Sequence, residues 1–301
     1  MNKYDLAILG SGPAGLSAAI YARRGELNTI IIEKSFASGG QIINTYEVDN
    51  YPGLPEITGF ELATKMKEHS DKFGAKYLNA DVTEVKKNGD EIIIVTSEGE
   101  ISARAVIIAS GASHRSLGIP GEENLTGSGV SYCATCDGAF FRGKDVLVAG
   151  GGNVAVEDAI FLARGCNKVY VVHRRDELRA EKVLQTKLFE LPNVEMVWNA
   201  NLTNINGDGN VESVDVKFKD GSEKNIKVDG VFIAVGIAPN KIKVDGLNTT
   251  EDGYIVADES GITNIPGIFV AGDVRDKSLR QVVTAVSDGA NAATSALRYL
   301  I

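Results

Sequence analysis

Two cysteines near the middle of the chain have the spacing that most directly suggests a reaction. Cys133 and Cys136 are separated by two residues, and Asp137 follows them directly. Such a pair can close into a small disulfide ring and accept two electrons. Asp137 can give a proton to a thiolate or can cap the next turn, and the spacing leaves both open. Zinc would need more soft ligands than the distant Cys166 supplies, so no metal site is predicted.

Two glycine-rich motifs form a second group of residues with a possible role in the chemistry. Each follows an apolar strand and opens a helix, and overlaying residues 6–33 on residues 146–173 aligns the two without a gap. Glycines at this place let backbone N–H groups approach a pyrophosphate at the start of the helix. The chain is therefore predicted to hold two βαβ dinucleotide-binding units. The motif residues are Gly10, Gly12, Pro13, Ala14 and Gly15 in the first unit and Gly150, Gly152, Asn153, Val154 and Ala155 in the second.

The residue that ends the second strand of each unit predicts which nucleotide is bound. Glu33 stands 18 residues after Gly15, close to the ~20 typical of an acid that binds ribose hydroxyls. Such an acid repels a phosphate, so the first unit suits an unphosphorylated ribose. The same position in the second unit opens a basic cluster that can pair with a 2′-phosphate. That cluster comprises His173, Arg174, Arg175 and Arg179.

Two dinucleotide sites in one chain predict a bound flavin together with a diffusing nicotinamide nucleotide. A short apolar strand late in the chain ends in Gly272 and Asp273. An aspartate there can bind the ribityl or phosphate region of FAD, and it can equally cap a helix. The first unit is therefore predicted to bind FAD and the second NADP(H).

The order of these segments predicts the domains. Residues 106–112 resemble residues 231–237, whereas residues 267–301 have no counterpart in the second half. That last segment is expected to return and complete the first domain. The predicted fold is α/β, with two Rossmann-like dinucleotide-binding domains of the three-layer ββα type, the second inserted in the first. The predicted FAD-binding domain covers 1–113 and 245–301, and the NADPH-binding domain covers 114–244.

Composition and charge narrow the classes of function. The chain has 301 residues, with 31 Lys plus Arg against 40 Asp plus Glu and a net charge of −9. An acidic chain without a basic run is a poor binder of nucleic acid or anionic membranes. No apolar stretch approaches the ~20 residues of a membrane span. With three cysteines and no signal peptide, the chain is expected in the reducing cytoplasm.

Together these motifs resemble the low-molecular-weight bacterial thioredoxin reductases over essentially the whole chain. The second glycine motif departs from the family, which usually has Asp-Ser where this chain has Asn153-Val154. Some reductases of this architecture take electrons from ferredoxin and have degraded NADPH sites, but the intact basic cluster favours NADPH here. The shared motifs are residues 10–15, 39–41, 47–53, 133–137, 173–179, 271–274 and 280–281.

The resemblance implies a homodimer that carries electrons from NADPH through FAD and the Cys133–Cys136 pair to thioredoxin or a thioredoxin-like protein. It makes Asp137 the acid–base group. The open alternatives are a ferredoxin donor, another dithiol protein as acceptor, or a flavin-bearing redox sensor. The FAD contacts that it implies, beyond the first glycine motif, are Glu33, Gly40, Gln41, Asn50, Gly111, Asp273, Arg280 and Gln281. The NADPH contacts are the second glycine motif with His173, Arg174, Arg175 and Arg179.

Overall fold

The computed structural model describes residues 3–45, 48 and 50–301, without the side chains of Asn44 and Cys136. Two compact units make up the chain. Unit 1 comprises Met1–Ser113 and Ala238–Ile301, and unit 2 comprises His114–Ile237. Within the described residues, no helix is both long enough and apolar enough to span a membrane.

A strand, a helix and a second strand open the nucleotide-binding segment of each unit, and runs of consecutive strands follow. The strands are β1 (Lys3–Leu9), β2 (Thr29–Glu33), β3 (Lys76–Asn79), β4 (Val82–Asn88), β5 (Glu91–Thr96), β6 (Gly99–Ile108), β7 (Ala112–His114), β8 (Val130–Ser131), β9 (Asp145–Gly150), β10 (Lys168–His173), β11 (Val194–Trp198), β12 (Ala200–Asn206), β13 (Ser213–Phe218), β14 (Glu223–Lys227), β15 (Gly230–Ala234), β16 (Ile237–Pro239), β17 (Lys243–Val244) and β18 (Ile268–Val270). The α-helices are α1 (Pro13–Arg24), α2 (Gly59–Lys72), α3 (Ala134–Asp137), α4 (Asn153–Ala163), α5 (Lys182–Phe189) and α6 (Val282–Leu300). Short 3₁₀ turns cover Gly40–Asn44, Gly138–Phe141 and Gly272–Val274.

The sheet of unit 1 is parallel at its centre. Strands β3, β2, β1 and β6 run side by side in that order, and β18 lies parallel to the last part of β6. Strands β5 and β4 continue the sheet antiparallel from the first part of β6. The late strand β18 therefore belongs to the sheet of unit 1.

The side chains of β1 alternate between two cores, as the twofold period of a strand requires. Leu6 and Ile8 belong to the core that contains helices α1 and α6. Ala7 and Leu9 belong to the core on the opposite face, which strands β4–β6 help to close. Small residues let α1 and α6 pack closely, since a Cβ on Gly289 of α6 would lie 2.1 Å from the carbonyl oxygen of Ala14. The central strands are therefore shielded on both faces.

Unit 2 repeats this plan around β9. Strands β11, β10, β9, β15 and β8 form a parallel sheet in that order, and β12–β14 form a separate antiparallel sheet. Val146 and Val148 of β9 pack with α4, whereas Leu147 and Ala149 pack with β12–β14. Helix, parallel sheet and antiparallel sheet give the three layers of the predicted fold class, which is confirmed.

The chain crosses between the units at β7 and β16, which pair with each other. The return into unit 1 comes at residue 238 and so precedes the boundary of 245 expected from the sequence. Asn240 accounts for the difference. Its backbone N–H donates to the carbonyl oxygen of Gly111 at 3.0 Å, and its side-chain amide donates to that of Ser110 at 2.8 Å. These bonds attach the returning chain to unit 1 before β17 begins.

Candidate functional site

A cleft of about 460 Å³ opens in unit 1 at the carboxyl ends of β1 and β6. Ligands of doubly wound sheets bind at this edge, where loops leave the strands. Most of the residues predicted to contact FAD line it. They are Gly10, Gly12, Pro13, Ala14, Glu33, Gly40, Gln41, Gly111, Asp273, Arg280 and Gln281.

Two predicted FAD contacts do not line the cleft but support residues that do. A Cβ on Gly15 would lie 1.9 Å from the carbonyl oxygen of Gly10, so Gly15 is needed for the close packing of the motif. The amide of Asn50 donates to the side-chain oxygen of Gln281 at 2.9 Å. Two further residues of the shared 47–53 motif, Glu47 and Asp49, lie outside the described residues.

The start of α1 and the carboxylate of Glu33 form one end of this cleft. Helix α1 begins with Pro13, has no acidic residue in its first turn and receives no cap from a described side chain. One oxygen of Glu33 accepts hydrogen bonds from the N–H and hydroxyl of Ser11 at 2.8 and 2.9 Å. The other accepts one from the N–H of Ser35 at 2.9 Å. Since a carboxylate has about four acceptor sites, Glu33 keeps capacity for a ribose hydroxyl.

Asp273 stands at another part of the cleft with an unused acceptor. Its Oδ1 is buried and has no hydrogen-bond partner among the described residues. Burial raises the pKa of this carboxyl, and the nearby Lys277 and Arg280 oppose that rise. A buried unsatisfied acceptor is costly, so the position is suited to a hydroxyl supplied by a ligand. The cleft therefore fits FAD: an uncapped helix start for the pyrophosphate, Glu33 for the ribose and Asp273 for the ribityl or phosphate region.

A second cleft, of about 470 Å³, lies at the corresponding edge of unit 2. Helix α4 begins at Asn153 without an acidic residue in its first turn. The predicted NADPH contacts that line this cleft are Gly150, Gly152, Asn153, Val154, His173, Arg174 and Arg179.

His173 is a neutral member of the basic cluster. It is 5% exposed, and its ring occupies the space into which a Cβ on Gly151 would project, 2.3 Å away. Burial lowers the pKa of this imidazole, and the charges of Arg179, Arg174 and Arg175 lower it further. The positive charge of the cleft at neutral pH therefore comes from arginine rather than from histidine.

Arg174 and Arg179 bring that charge into the cleft. The backbone N–H of Arg179 donates to the carbonyl oxygen of Gly151 at 2.8 Å, which places it beside the glycine motif. Neither arginine forms an ion pair with a described acid. Two predicted NADPH contacts are absent from the lining: Arg175, whose carbonyl oxygen accepts from the N–H of Asn199, and Ala155, which is buried beneath the motif.

The departure from the family motif has a visible consequence. The side chain of Asn153 exchanges two hydrogen bonds with Glu181, at 3.0 and 2.9 Å. It is thereby directed to the start of α5. Val154 lines the cleft and is 59% exposed, so an apolar group stands beside the glycine motif where a hydroxyl is usual in the family.

Sequence reasoning missed several residues that line the second cleft. They reach it from β12 and from the crossing segments, which carry no recognised motif. Gly236 belongs to residues 231–237, whose only signal in the sequence is their resemblance to residues 106–112. The missed residues are Arg115, Leu117, Asn201, Leu202, Val235 and Gly236.

The dithiol segment lies in the same unit as this second cleft. Cys133 is disulfide-bonded and directly precedes α3; the side chain of Cys136, its predicted partner, lies outside the description. The buried hydroxyl of Ser131 accepts from the N–H of Cys133 at 3.0 Å and donates to Asp137 at 2.6 Å. One hydroxyl thus links the start of the cysteine turn to the predicted acid.

A third cavity adjoins the dithiol segment. It has a volume of about 480 Å³ and is lined in part by Asp137, Phe140 and Lys144. The Phe140 side chain is 74% exposed at the edge of this cavity. No group of described histidine, cysteine and acidic side chains could hold a metal ion.

Two clefts, each at a glycine motif that opens a helix, together with a disulfide-bonded cysteine are typical of nucleotide-linked disulfide oxidoreductases. The family model described as pyridine nucleotide-disulphide oxidoreductase matches residues 4–289. The chain therefore belongs to this family, and within it to the thioredoxin reductases, as its relatives indicate.

Three relatives illustrate the range of the similarity. Thioredoxin reductase from Bacillus subtilis is 47% identical over 302 residues, which covers 99% of this chain and 95% of the relative. The crystal structure of the Lactococcus lactis thioredoxin reductase matches with a TM-score of 0.85 and 44% identity, covering 99% of both chains. A ferredoxin-flavin thioredoxin reductase from Clostridium acetobutylicum matches with a TM-score of 0.55 and 34% identity, over 99% of this chain and 98% of that one.

Proposed function

We propose that this chain passes electrons from NADPH, through FAD and the Cys133–Cys136 pair, to the disulfide of a thioredoxin. It is an oxidoreductase of the thioredoxin reductase type, and its cofactors are FAD and NADPH. One observation carries the proposal at the level of residues. The disulfide-bonded Cys133 and the arginine-lined cleft both belong to unit 2, and the cleft that fits FAD belongs to unit 1.

Unit 1 would hold FAD through groups already in position. The first turn of α1 would face the pyrophosphate, Glu33 would accept hydrogen bonds from ribose, and Asp273 would accept one from a further hydroxyl or bind the phosphate region. Asn50 would act indirectly, by orienting Gln281.

Unit 2 would hold NADPH. Arg174 and Arg179 line its cleft and form no ion pair with any acid that the structure describes, so both guanidinium groups would be available for a 2′-phosphate. The neutral His173 would pack against the nucleotide or donate a single hydrogen bond rather than supply charge. Because His173 is neutral, the two arginines would supply the positive charge that a 2′-phosphate requires.

The reaction at the cysteines follows from thiol chemistry. When bound, FAD accepts a hydride from NADPH and supplies the electron pair that reduces the disulfide. Two electrons break the S–S bond of Cys133 and Cys136, and Asp137 is placed to give a proton to one of the two sulfurs. A thiolate then attacks the thioredoxin disulfide and forms a mixed disulfide. Attack by the second sulfur restores the disulfide of this chain and releases thioredoxin with two thiols.

The surface beside the cysteines supports a protein acceptor. Phe140 presents an exposed ring at the edge of the third cavity, while Asp137 and Lys144 add charge inside it. Aromatic residues are enriched at protein–protein interfaces, so the exposed ring of Phe140 next to the cysteine segment supports a contact there. Thioredoxin would therefore contact unit 2 around Phe140.

Assembly and location complete the proposal. The chain would form a homodimer, as the family resemblance implies, which sedimentation equilibrium would test. It would act in the cytoplasm, where NADPH is available and where the free thiol of Cys166 stays reduced.

Ser131→Ala should slow disulfide reduction without affecting the nucleotide sites. The variant loses one hydrogen bond to a charged group, worth about 1.5–3 kcal/mol, so kcat for thioredoxin should fall at least about tenfold. The KM for NADPH should stay the same, because Ser131 does not line that cleft. Ser131→Thr, which keeps the hydroxyl, should restore most of the rate. A normal kcat in Ser131→Ala would show that the link between Cys133 and Asp137 is dispensable.

Anaerobic titration of the yellow protein with separate donors tests the proposed function. NADPH should bleach the flavin at about one equivalent, whereas NADH should do so only at much higher concentration. Adding thioredoxin and a dye disulfide to the NADPH reaction should then give steady turnover. Thioredoxin reduction without flavin bleaching, or no reduction at all, would contradict the proposal.

A ferredoxin donor is the second candidate, because Val154 replaces a hydroxyl in the nucleotide cleft. The retained Arg174 and Arg179 favour NADPH. If reduced ferredoxin bleached the flavin and NADPH did not, the donor assignment would change while the acceptor half of the reaction remained.

A further inference from the structure

A single buried carboxylate holds the segment that carries Asp273. Asp288 on α6 accepts the backbone N–H of Gly272 at 3.0 Å. It also accepts Nε and Nη2 of Arg275 at 3.2 and 3.0 Å, and Nζ of Lys277 at 2.9 Å. Four donors from six consecutive residues thus converge on one side chain.

The cations in this cluster are almost as buried as the carboxylate. The side chains of Arg275, Lys277 and Asp288 are 10%, 5% and 8% exposed. Arg275 and Lys277 together carry two positive charges and Asp288 one negative charge, so this buried cluster has a net positive charge, and unpaired buried charge is costly. Asp273 feels both signs of charge in the cluster: Lys277 lowers the pKa of its carboxyl and Asp288 raises it, while burial raises it most. The hydrogen bonds of Asp288, rather than a net charge, therefore hold the turn that carries Asp273.

The same part of α6 also fixes the glycine motif. Gly272 has a φ of +79°, a conformation that favours glycine. A Cβ there would lie 2.8 Å from the Cβ of Ala14, at the start of α1. Gly289, next to Asp288, packs against the carbonyl oxygen of that same Ala14. One turn of α6 thus locates both the Asp273 turn and the first turn of α1.

We propose that Asp288, with Arg275 and Lys277, is a positioning cluster for FAD that pre-organises Asp273 against the start of α1. The cluster does not line the cleft and would act through the two segments that do. This inference rests on the proposed function for the identity of the ligand. Without the carboxylate, the turn at Gly272 loses its anchor, and the two buried cations repel each other within the segment.

The test measures FAD retention directly. FAD release from purified protein is measured as the recovery of free-flavin fluorescence after dilution. Asp288→Asn should release FAD about 10- to 100-fold faster than the wild type. Asp276→Asn is the matched control, since it makes the same change at an exposed position in the same segment, and it should release FAD at the wild-type rate. Binding of NADP⁺ should be equal in all three proteins, because its cleft lies in unit 2.

A second variant covers the case in which Asp288→Asn does not fold. Lys277→Met removes one buried cation and leaves the two Arg275 bonds to Asp288. It should release FAD several-fold faster than the wild type, and Lys277→Arg should restore retention. If Asp288→Asn folds and releases FAD at the wild-type rate, the inference is overturned. If Asp288→Asn does not fold, FAD release at the wild-type rate from Lys277→Met overturns it instead. Failure of the wild type itself to bind FAD would instead overturn the proposed function.

Discussion

Cys133→Ser and Cys136→Ser should each reduce thioredoxin turnover to background while leaving reduction of the flavin by NADPH intact. Thiol–disulfide exchange needs two sulfurs, one to form the mixed disulfide and one to resolve it. A serine hydroxyl cannot form either bond. Both nucleotide clefts are lined by other described residues, so flavin bleaching by NADPH should stay within about twofold of the wild type. Stopped-flow absorbance measures the first half-reaction, and a dye-disulfide assay with thioredoxin measures the whole.

Cys166→Ser provides the control for this pair. Cys166 is a free, buried thiol whose pKa burial raises to about 11, so it is unreactive at neutral pH. Its replacement should preserve turnover. Near-normal thioredoxin reduction in both Cys133→Ser and Cys136→Ser would mean that the pair is structural.

Arg174→Ala and Arg179→Ala should each raise the KM for NADPH about 10- to 100-fold and leave that for NADH nearly unchanged. Each guanidinium is expected to make a charge-assisted hydrogen bond to the 2′-phosphate, worth about 1.5–3 kcal/mol. A loss of 1.4 kcal/mol corresponds to about a tenfold change in affinity. NADH lacks the phosphate, so it loses nothing. Steady-state kinetics with both nucleotides measure the ratio.

Arg175→Ala is the matched control for the arginine pair. Its side chain does not line the cleft, although it follows Arg174 directly. Its charge should contribute at most a screened, long-range attraction, so the KM for NADPH should rise less than in the other two variants. Equal losses for NADPH and NADH in Arg174→Ala and Arg179→Ala would contradict a role in phosphate recognition.

Much of the site could be predicted because its signals are local. In each unit a strand, a glycine turn and a helix follow one another within about 30 residues, a spacing that is characteristic of dinucleotide binding. The difference between Glu33 and His173 at equivalent positions distinguishes the two clefts in the same way. Gly10, Gly12, Pro13, Ala14 and Glu33 line the unit 1 cleft for this reason. Gly40, Gln41, Gly111, Arg280 and Gln281 also line it, but the family resemblance implied them, not a local signal.

Residues that reach a site from elsewhere in the chain gave no such signal. Asn201 lines the unit 2 cleft from β12, and Arg115 reaches it from the segment that enters unit 2. Nothing near either residue in the sequence suggests a nucleotide. Conversely, Arg175 belongs to the basic motif but does not line the cleft, because the chain bends directly after β10 ends at His173.

The sequence by itself predicted two nucleotide-binding units, a different nucleotide preference for each and a redox pair, since each prediction depends on residues within one short stretch. Only the tertiary structure decided that burial keeps His173 neutral. It also showed that Asp288 anchors Gly272, in the turn that carries Asp273, from 16 positions away in the chain. Burial and hydrogen-bond partners create these roles. Both arise when distant segments pack together, and neither is a property of a residue and its neighbours in sequence.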